Sequence, residues 1–382
     1  MTRLAALFLC SALALPALAD DLRATGDLGV VVERATGSVL IVDQSEHAAI
    51  GRIEGLGDLS HASLVFSSDE RFAYVFGRDG GLTKIDILTQ KIVNRVVQAG
   101  NSIGGAISDD GMLVAVANYE PGGVKIFDAD TLAELYHIPA EGKALGLEDA
   151  PGRRFVFSVW ETGESKIVDF SGAEPKITTL ENIGAEPYDA LVTDDGRTYI
   201  AGLFGEDGLS AIDLWAEVPE AKKILPHYGR GQEEMPVYKM PHLEGWAKAG
   251  DQIVLPAVHH HEVLWIDSRS LEETGRTQVH GQPVFAMARP GGRHVWVNFA
   301  HPDNDTVQVI DTMSHEIIGE MVPGPAVLHM EFTSRGTEAW VSVRDANKVV
   351  IYDTTSLQPI GEIAAESPSG IFFTARAHRL GL

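Results

Sequence analysis

A short motif, an apolar strand ending in aspartate and followed by a polar turn, recurs eight times along this chain and limits how it can fold. It stands at Ile41-Val42-Asp43, Lys84-Ile85-Asp86, Ile126-Phe127-Asp128, Ile167-Val168-Asp169, Ala211-Ile212-Asp213, Trp265-Ile266-Asp267, Val309-Ile310-Asp311 and Ile351-Tyr352-Asp353, with steps of 43, 42, 41, 44, 54, 44 and 42 residues between the aspartates. A fixed period of this size marks an array of supersecondary units, each too small to bury its own apolar face. Each repeat also carries an earlier alternating strand after a turn such as Ser68-Asp69-Glu70-Arg71, Asp109-Asp110-Gly111, Asp194-Asp195-Gly196 or Pro290-Gly291-Gly292-Arg293. Short strands at this spacing, with almost no helical periodicity, predict one four-stranded propeller blade per repeat. The predicted fold is therefore all-β, an eight-bladed β-propeller. The first repeat begins abruptly near Gly29-Val30-Val31-Val32, and the chain ends on Gly370-Ile371-Phe372-Phe373-Thr374, a strand with no blade of its own. Giving that strand to the first blade closes the ring and leaves no open sheet edge there. The repeat aspartate is expected to end a strand and accept hydrogen bonds from the turn that follows. The long step of 54 residues places an insertion around Pro226–Pro241, read as a loop over one face.

Charge and cysteine content narrow the function. Lys+Arg 30 against Asp+Glu 54 gives a net charge of -24, which repels a phosphate backbone and argues against a nucleic-acid binder. An anionic ligand would need a local basic pocket. The single cysteine, Cys10, leaves the chain on its own no disulfide, zinc thiolate cluster, Fe–S cluster or covalent c-type haem. Arg3 precedes an apolar run from Leu4 to Leu15, and Ala17-Leu18-Ala19 supplies a small-x-small cleavage site, so residues 1–19 read as a signal peptide and 20–382 as the exported propeller. The apolar run is shorter than the ~20 residues of a membrane span. Cys10 lacks the small residues that precede a lipidated cysteine, which favours a soluble mature form.

In a propeller, the connection leading into each innermost strand and the turn joining the second and third strands lie on one face around the axis. Residues at these two phases in different repeats can converge on one ligand. Counted back from the repeat aspartates, His61 and His242 fall 25 residues earlier, His329 falls 24 earlier, and Tyr188 is 25 before Asp213. His280, in Val279-His280-Gly281-Gln282-Pro283, is 31 before Asp311. The second phase holds Arg34, Arg78 and Arg344, nine, eight and nine residues before their aspartates, with Asn118, Glu161 and the run His259-His260-His261 in other repeats. Because the ring closes, the blades carrying Arg344, Arg34 and Arg78 are neighbours. Three guanidinium groups in one sector form a site for a polycarboxylate, since each can hold a carboxylate through two charge-assisted hydrogen bonds. The alternative is that Arg78 pairs with Asp79 and Arg344 with Asp345. A histidine facing an aperture beside a cationic sector has the chemistry of a macrocycle site, in which a neutral imidazole ligates iron and arginines hold ring carboxylates. The same histidines also read as hydrogen-bonded loop residues. His259–His261 is a candidate transition-metal site, although consecutive strand side chains alternate and cannot all reach one ion. The chain has no nucleophile elbow, HExxH, Walker A or dinucleotide fingerprint.

The stretch Leu59-Ser60-His61-Ala62-Ser63-Leu64, with Arg71-Phe72-Ala73-Tyr74-Val75-Phe76-Gly77-Arg78-Asp79-Gly80, resembles the segment of the cytochrome cd1 nitrite reductases that supplies the proximal histidine and an arginine to haem d1. The resemblance extends over essentially the whole mature chain, to the eight-bladed haem d1 domain. His280, Trp296 and His301-Pro302-Asp303 resemble the region around one distal catalytic histidine. The resemblance implies that His61 is the axial metal ligand, that Arg34 and Arg78, joined by Arg344 from its place in the ring, bind ring carboxylates, and that His280 is a distal acid–base or catalytic group. Two departures matter. Glu148 and Asp149 stand around Leu145–Pro151, where the reductases carry a second distal histidine, and Leu64 stands where an arginine is expected three residues after His61. The histidine pair that protonates nitrite is thus not reproduced.

Length, export and the absence of an appended c-type cytochrome resemble the periplasmic haem d1 biosynthesis proteins of this superfamily. That implies a denitrification protein that binds haem d1 or dihydro-haem d1 non-covalently in a late step. Its partners would be cytochrome cd1 nitrite reductase and other haem d1 maturation proteins. The implied reaction is dehydrogenation of a propionate side chain to an acrylate, an oxidoreductase step for which the sequence contributes no electron acceptor. The alternatives are a haem d1 carrier without catalysis, a protein-interaction propeller, or a small-molecule hydrolase or lactonase on the same fold.

Overall fold

The computed structural model describes residues 24–228, 245–257 and 260–374. Residues 1–19, read above as a signal peptide, lie outside the described residues, as do His242, His259 and most of the insertion.

The described chain forms eight four-stranded antiparallel sheets. Blade 2 shows the plan: Ser63–Phe66 is innermost, followed outward by Phe72–Phe76, Gly81–Asp86 and Lys91–Val97. Blades 3 to 8 repeat it in chain order, each starting at the axis. Blade 1 takes its innermost strand from the other end of the chain: Pro368–Phe373 pairs with Leu28–Glu33, with Gly29 opposite Phe373 and Val31 opposite Ile371. Arg344–Ala346 forms a 3-10 turn, and among the described residues no helix is long and apolar enough to cross a membrane.

The core is divided among the seams. Each of the eight gaps between adjacent blades holds its own apolar cluster, for example Val30, Ile41, Leu64 and Val75 between blades 1 and 2, and Val254, Trp265, Val295 and Phe299 between blades 6 and 7. A middle strand is therefore buried on both faces, which is why stretches such as Val30-Val31-Val32 are continuously apolar. Every repeat aspartate ends the third strand of its blade and accepts backbone N–H groups of the next turn, as Thr89 donates to Asp86 at 3.1 Å and Ser270 to Asp267 at 2.7 Å. In some blades an arginine opening the second strand bonds the other oxygen: Arg197 Nη2 lies 2.7 Å from Asp213 Oδ2, and this bond, followed by the Trp215 N–H, holds the Asp213 carboxyl below the usual range.

Closure depends on two local features. A Cβ on Gly29 would lie 2.5 Å from the Phe373 ring, so only glycine lets the last strand approach. Buried Glu33 accepts the Glu366 N–H at 2.8 Å and pairs with Arg52 at 2.8 Å, tying the approach of the last strand to the outer part of blade 1. At the top face, the innermost strands of blades 1, 3, 4, 5, 7 and 8 each shift register against the second strand. Such bulges re-aim side chains, and here they shape the rim of the mouth.

Candidate functional site

The segment that carries His61 links the outermost strand of blade 1 to the innermost strand of blade 2. Leu56 and Leu59 are buried in the seam between these blades and pin the segment, leaving Ser60 and His61 half-buried at the mouth. Gly57 allows the close approach: its φ is +87°, and a Cβ there would fall 2.2 Å from Asp79 Oδ2 and 2.3 Å from Arg95 Nη2. The segment is held from both neighbours. Arg34, in the second turn of blade 1, donates its Nη2 to the Ser60 carbonyl, and the Arg78 backbone N–H, in the equivalent turn of blade 2, donates to the Asp58 carbonyl at 2.8 Å. Asp58 in turn accepts the Ser60 N–H at 2.8 Å. Residues from the two phases read off the sequence thus belong to one hydrogen-bonded unit.

Their charges act on one another. Burial, then the Arg78 and Arg34 guanidinium groups, hold the His61 imidazole down to about 4 against the pull of Asp58, so it is neutral at neutral pH. Arg34 is itself lowered, first by burial and then by Arg344, with Arg78 adding to the effect. The three arginines are therefore close enough to repel. The sequential pairings divide. Arg344 does bind Asp345, Nε to Oδ1 at 2.6 Å and Nη2 to Oδ2 at 3.2 Å. Asp79 instead pairs with Arg95 at 2.6 Å, and among the described residues Arg78 has no carboxylate within ion-pair distance.

The other sequence candidates are more dispersed. His280 lies on the same face but at the opening of blade 7, with Nε2 3.9 Å from Asp303 Oδ1, its ring edge-on to Phe299 at 5.6 Å and its N–H bonded to Gln308 Oε1 at 3.0 Å. Trp296 packs against Phe332 and Tyr352 in the core between blades 7 and 8, away from the mouth. His329 serves the closure seam: its Nδ1 accepts the Ile371 N–H at 3.2 Å and its ring stacks on Phe372 at 5.6 Å. Asn118 bonds Gln98 at 2.8 Å, and Glu161 pairs with Lys143 at 2.6 Å. Among the described residues no group of three or more His, Cys, Asp or Glu could hold a metal ion, and His259 lies outside them.

Tyr188 belongs to a wall that sequence reasoning saw only in part. Its ring meets Trp160 at 5.4 Å and Phe204 at 5.8 Å, Trp160 meets Phe204 at 5.4 Å, and its hydroxyl hydrogen-bonds Tyr119. Tyr119 follows Asn118 and Trp160 precedes Glu161 at the second phase, so the signal was present one residue from the polar positions. Arg78 acts electrostatically on both tyrosines, which places the wall and the cationic sector around a common mouth. A neutral imidazole, three cations and a bank of aromatic rings can together receive a flat, metal-bearing polycarboxylate: the imidazole as an axial donor, the guanidinium groups on carboxylates, the rings against the apolar body.

Comparison with known proteins gives a consistent set. Residues 23–377 match the profile of the family described as the cytochrome D1 heme domain. The chain is 58% identical over 372 residues to Protein NirF of Stutzerimonas stutzeri, covering 95% of each, and 57% identical over 370 residues to Protein NirF of Pseudomonas aeruginosa, covering 94% of each. Among solved structures it resembles the dihydro-heme d1 dehydrogenase NirN in complex with DHE, with a TM-score of 0.80 and 25% identity, over 93% of this chain and 77% of that one.

Proposed function

The chain belongs to the cytochrome d1 haem domain family, and from that membership we propose that it binds haem d1 or dihydro-haem d1, non-covalently and in the periplasm, at a late step of haem d1 biosynthesis. The observation that carries the reading is the shared unit of Arg34, Arg78 and the His61 segment, with the imidazole kept neutral beside two guanidinium groups. The donor set fits the group. A neutral imidazole is the form that ligates haem iron, and arginine forks match carboxylates. His61 would hold the iron, and Arg34, Arg78 and Arg344 the ring carboxylates. Arg344 would exchange its exposed pairing with Asp345 for the ligand. His280, on the same face beside Asp303, would be the distal acid–base group.

The bound tetrapyrrole supplies the redox chemistry. Conversion of a propionate to an acrylate removes two electrons and two protons, which must pass to an oxidant, and the chain's own part is to fix the ring and accept a proton at His280. The finished cofactor would go to cytochrome cd1 nitrite reductase. Anaerobic titration of the purified protein with dihydro-haem d1 should shift the Soret and visible bands, and His61→Ala should abolish the shift. An unchanged wild-type spectrum would sink the binding reading and favour a protein-interaction propeller. Incubation of the complex with an artificial oxidant, followed by mass analysis, separates reaction from delivery: loss of two hydrogens in wild type but not in His280→Ala assigns the dehydrogenation to this chain, and an unaltered mass assigns it the role of carrier.

A further inference from the structure

The wall across the mouth from Arg34 and Arg344 is built around one re-aimed hydroxyl. In blade 3, Asn101 pairs with Glu120 and Ser102 with Asn118, so Tyr119 is the extra residue of a bulge. A bulge commonly turns a side chain toward a site. The bulge is anchored on both sides. Asn118 Oδ1 accepts from Gln98 at 2.8 Å, and Ser102, the partner of Asn118, donates its N–H to the Arg78 carbonyl at 3.3 Å and its Oγ to the Gly77 carbonyl at 2.7 Å. Tyr119 is thereby tied to the turn that carries Arg78.

The chemistry of this wall differs from that of the cationic sector. Its one lysine, Lys143, pairs with Glu161 at 2.6 Å and lies 6.0 Å from the Tyr119 ring centre and 5.8 Å from that of Trp160. Asp189 adds negative charge next to Tyr188 and acts on both tyrosines. A ligand carboxylate is disfavoured here, whereas a neutral acceptor meets a hydroxyl framed by aromatic rings. Burial pushes Tyr119 up to about 12, with the Tyr188 hydrogen bond pulling the other way, and Tyr188 is raised further by its own burial. Two phenol hydroxyls joined by one hydrogen bond use one of their two protons, so the pair keeps a second O–H that a ligand acceptor at Tyr119 can take.

We infer that the Tyr119 hydroxyl, turned into the mouth by the bulge and backed by Tyr188, Trp160 and Phe204, donates a hydrogen bond to a peripheral oxo oxygen of the ring and so selects oxo-substituted iron tetrapyrroles over protohaem. The inference rests on the haem d1 reading above. Haem d1 and its dihydro precursor carry oxo oxygens on the ring periphery, and protohaem carries none. A site built to satisfy such an acceptor discriminates against the analogue that lacks it.

The test is a pair of anaerobic titrations, with dihydro-haem d1 and with protohaem, on wild type, Tyr119→Phe and Tyr188→Phe. Tyr119→Phe should weaken dihydro-haem d1 binding by about threefold to tenfold, the range of one net neutral hydrogen bond. Protohaem affinity should stay unchanged, which also reports that the variant is folded. The ring C=O stretch in the resonance Raman spectrum should move to higher frequency. Tyr188→Phe should give a smaller change in the same direction. Equal affinity for dihydro-haem d1 and an unmoved C=O band in Tyr119→Phe, with wild type binding normally, would overturn the inference and leave the proposed function standing. Failure of wild type to bind either tetrapyrrole would overturn both.

Discussion

The neutral state of His61 can be measured directly. The imidazole is held at about 4 against an ordinary 6.5, first by burial and then by Arg78 and Arg34. That gap corresponds to about 3 kcal/mol, an upper bound because the ring is only half-buried and solvent screens the arginines. Between pH 6.5 and 4 the unfolded chain binds a proton that the folded chain refuses. Stability from this group is thus complete above pH 6.5 and is lost as pH falls toward 4. The Cε1–H resonance of His61, assigned by its absence in His61→Gln, should titrate near pH 4. In the double variant Arg34→Gln, Arg78→Gln the midpoint should rise but stay below 6.5, since burial is the larger cause. Denaturant unfolding should show wild type losing up to about 3 kcal/mol more than His61→Gln between pH 7.5 and pH 4. A wild-type midpoint at or above 6.5, or one unmoved by removal of both arginines, would refute the placement of the imidazole beside those charges.

Three further outcomes follow from the same geometry. Glu33→Ala removes the buried partner of Arg52 and the acceptor of the Glu366 N–H, and should cost about 3 kcal/mol in denaturant unfolding, the lower end for a broken buried pair because Arg52 is partly exposed. Arg344→Ala breaks an exposed pair with Asp345, so the unfolding midpoint should hardly move, within about 1 kcal/mol, while dihydro-haem d1 affinity falls about tenfold, the worth of one charge-assisted hydrogen bond. Arg95→Ala releases the Asp79 carboxylate and removes a donor to the Leu56 carbonyl at 3.2 Å. It should weaken binding of the anionic ring although Arg95 is no part of the cationic sector, and unchanged affinity in that variant would show that Asp79 does not compete for Arg78.

The fold was almost wholly legible, because a repeat imposes the same demand eight times. Each aspartate had to end a strand and cap a turn, and the surplus strand at Gly370–Thr374 had to find a partner. The site was legible in its cations and its His61 segment for the same reason, since phase within a repeat maps directly onto position around the axis. What phase could not convey was the register shift. Tyr119 is the extra residue of a bulge, and His329, which shares the phase of His61, spends its ring on the closure seam. Nor does adjacency in sequence choose partners. Asp345 bonds the arginine before it, whereas Asp79 turns away from Arg78 to an arginine on the next strand but one.

That last contrast explains how a chain with a net charge of -24 keeps a cationic mouth. Nearby carboxylates are present but largely occupied. Asp79 is bound by Arg95 and by the Gly81 N–H at 3.0 Å. Asp58 is held low first by its Ser60 hydrogen bond. Glu161 is taken by Lys143. The cations bound to Asp79 and Glu161 offset those charges, whereas Asp58 stays ionised and keeps its pull on Arg34 and His61. Arg34 is nonetheless lowered, first by burial and then by Arg344, a cost that an outside carboxylate would relieve. The acidic surface beyond discourages polyanions from binding elsewhere, so the same charge distribution that makes nucleic acid a poor partner concentrates anion affinity at the one place where a neutral imidazole also waits.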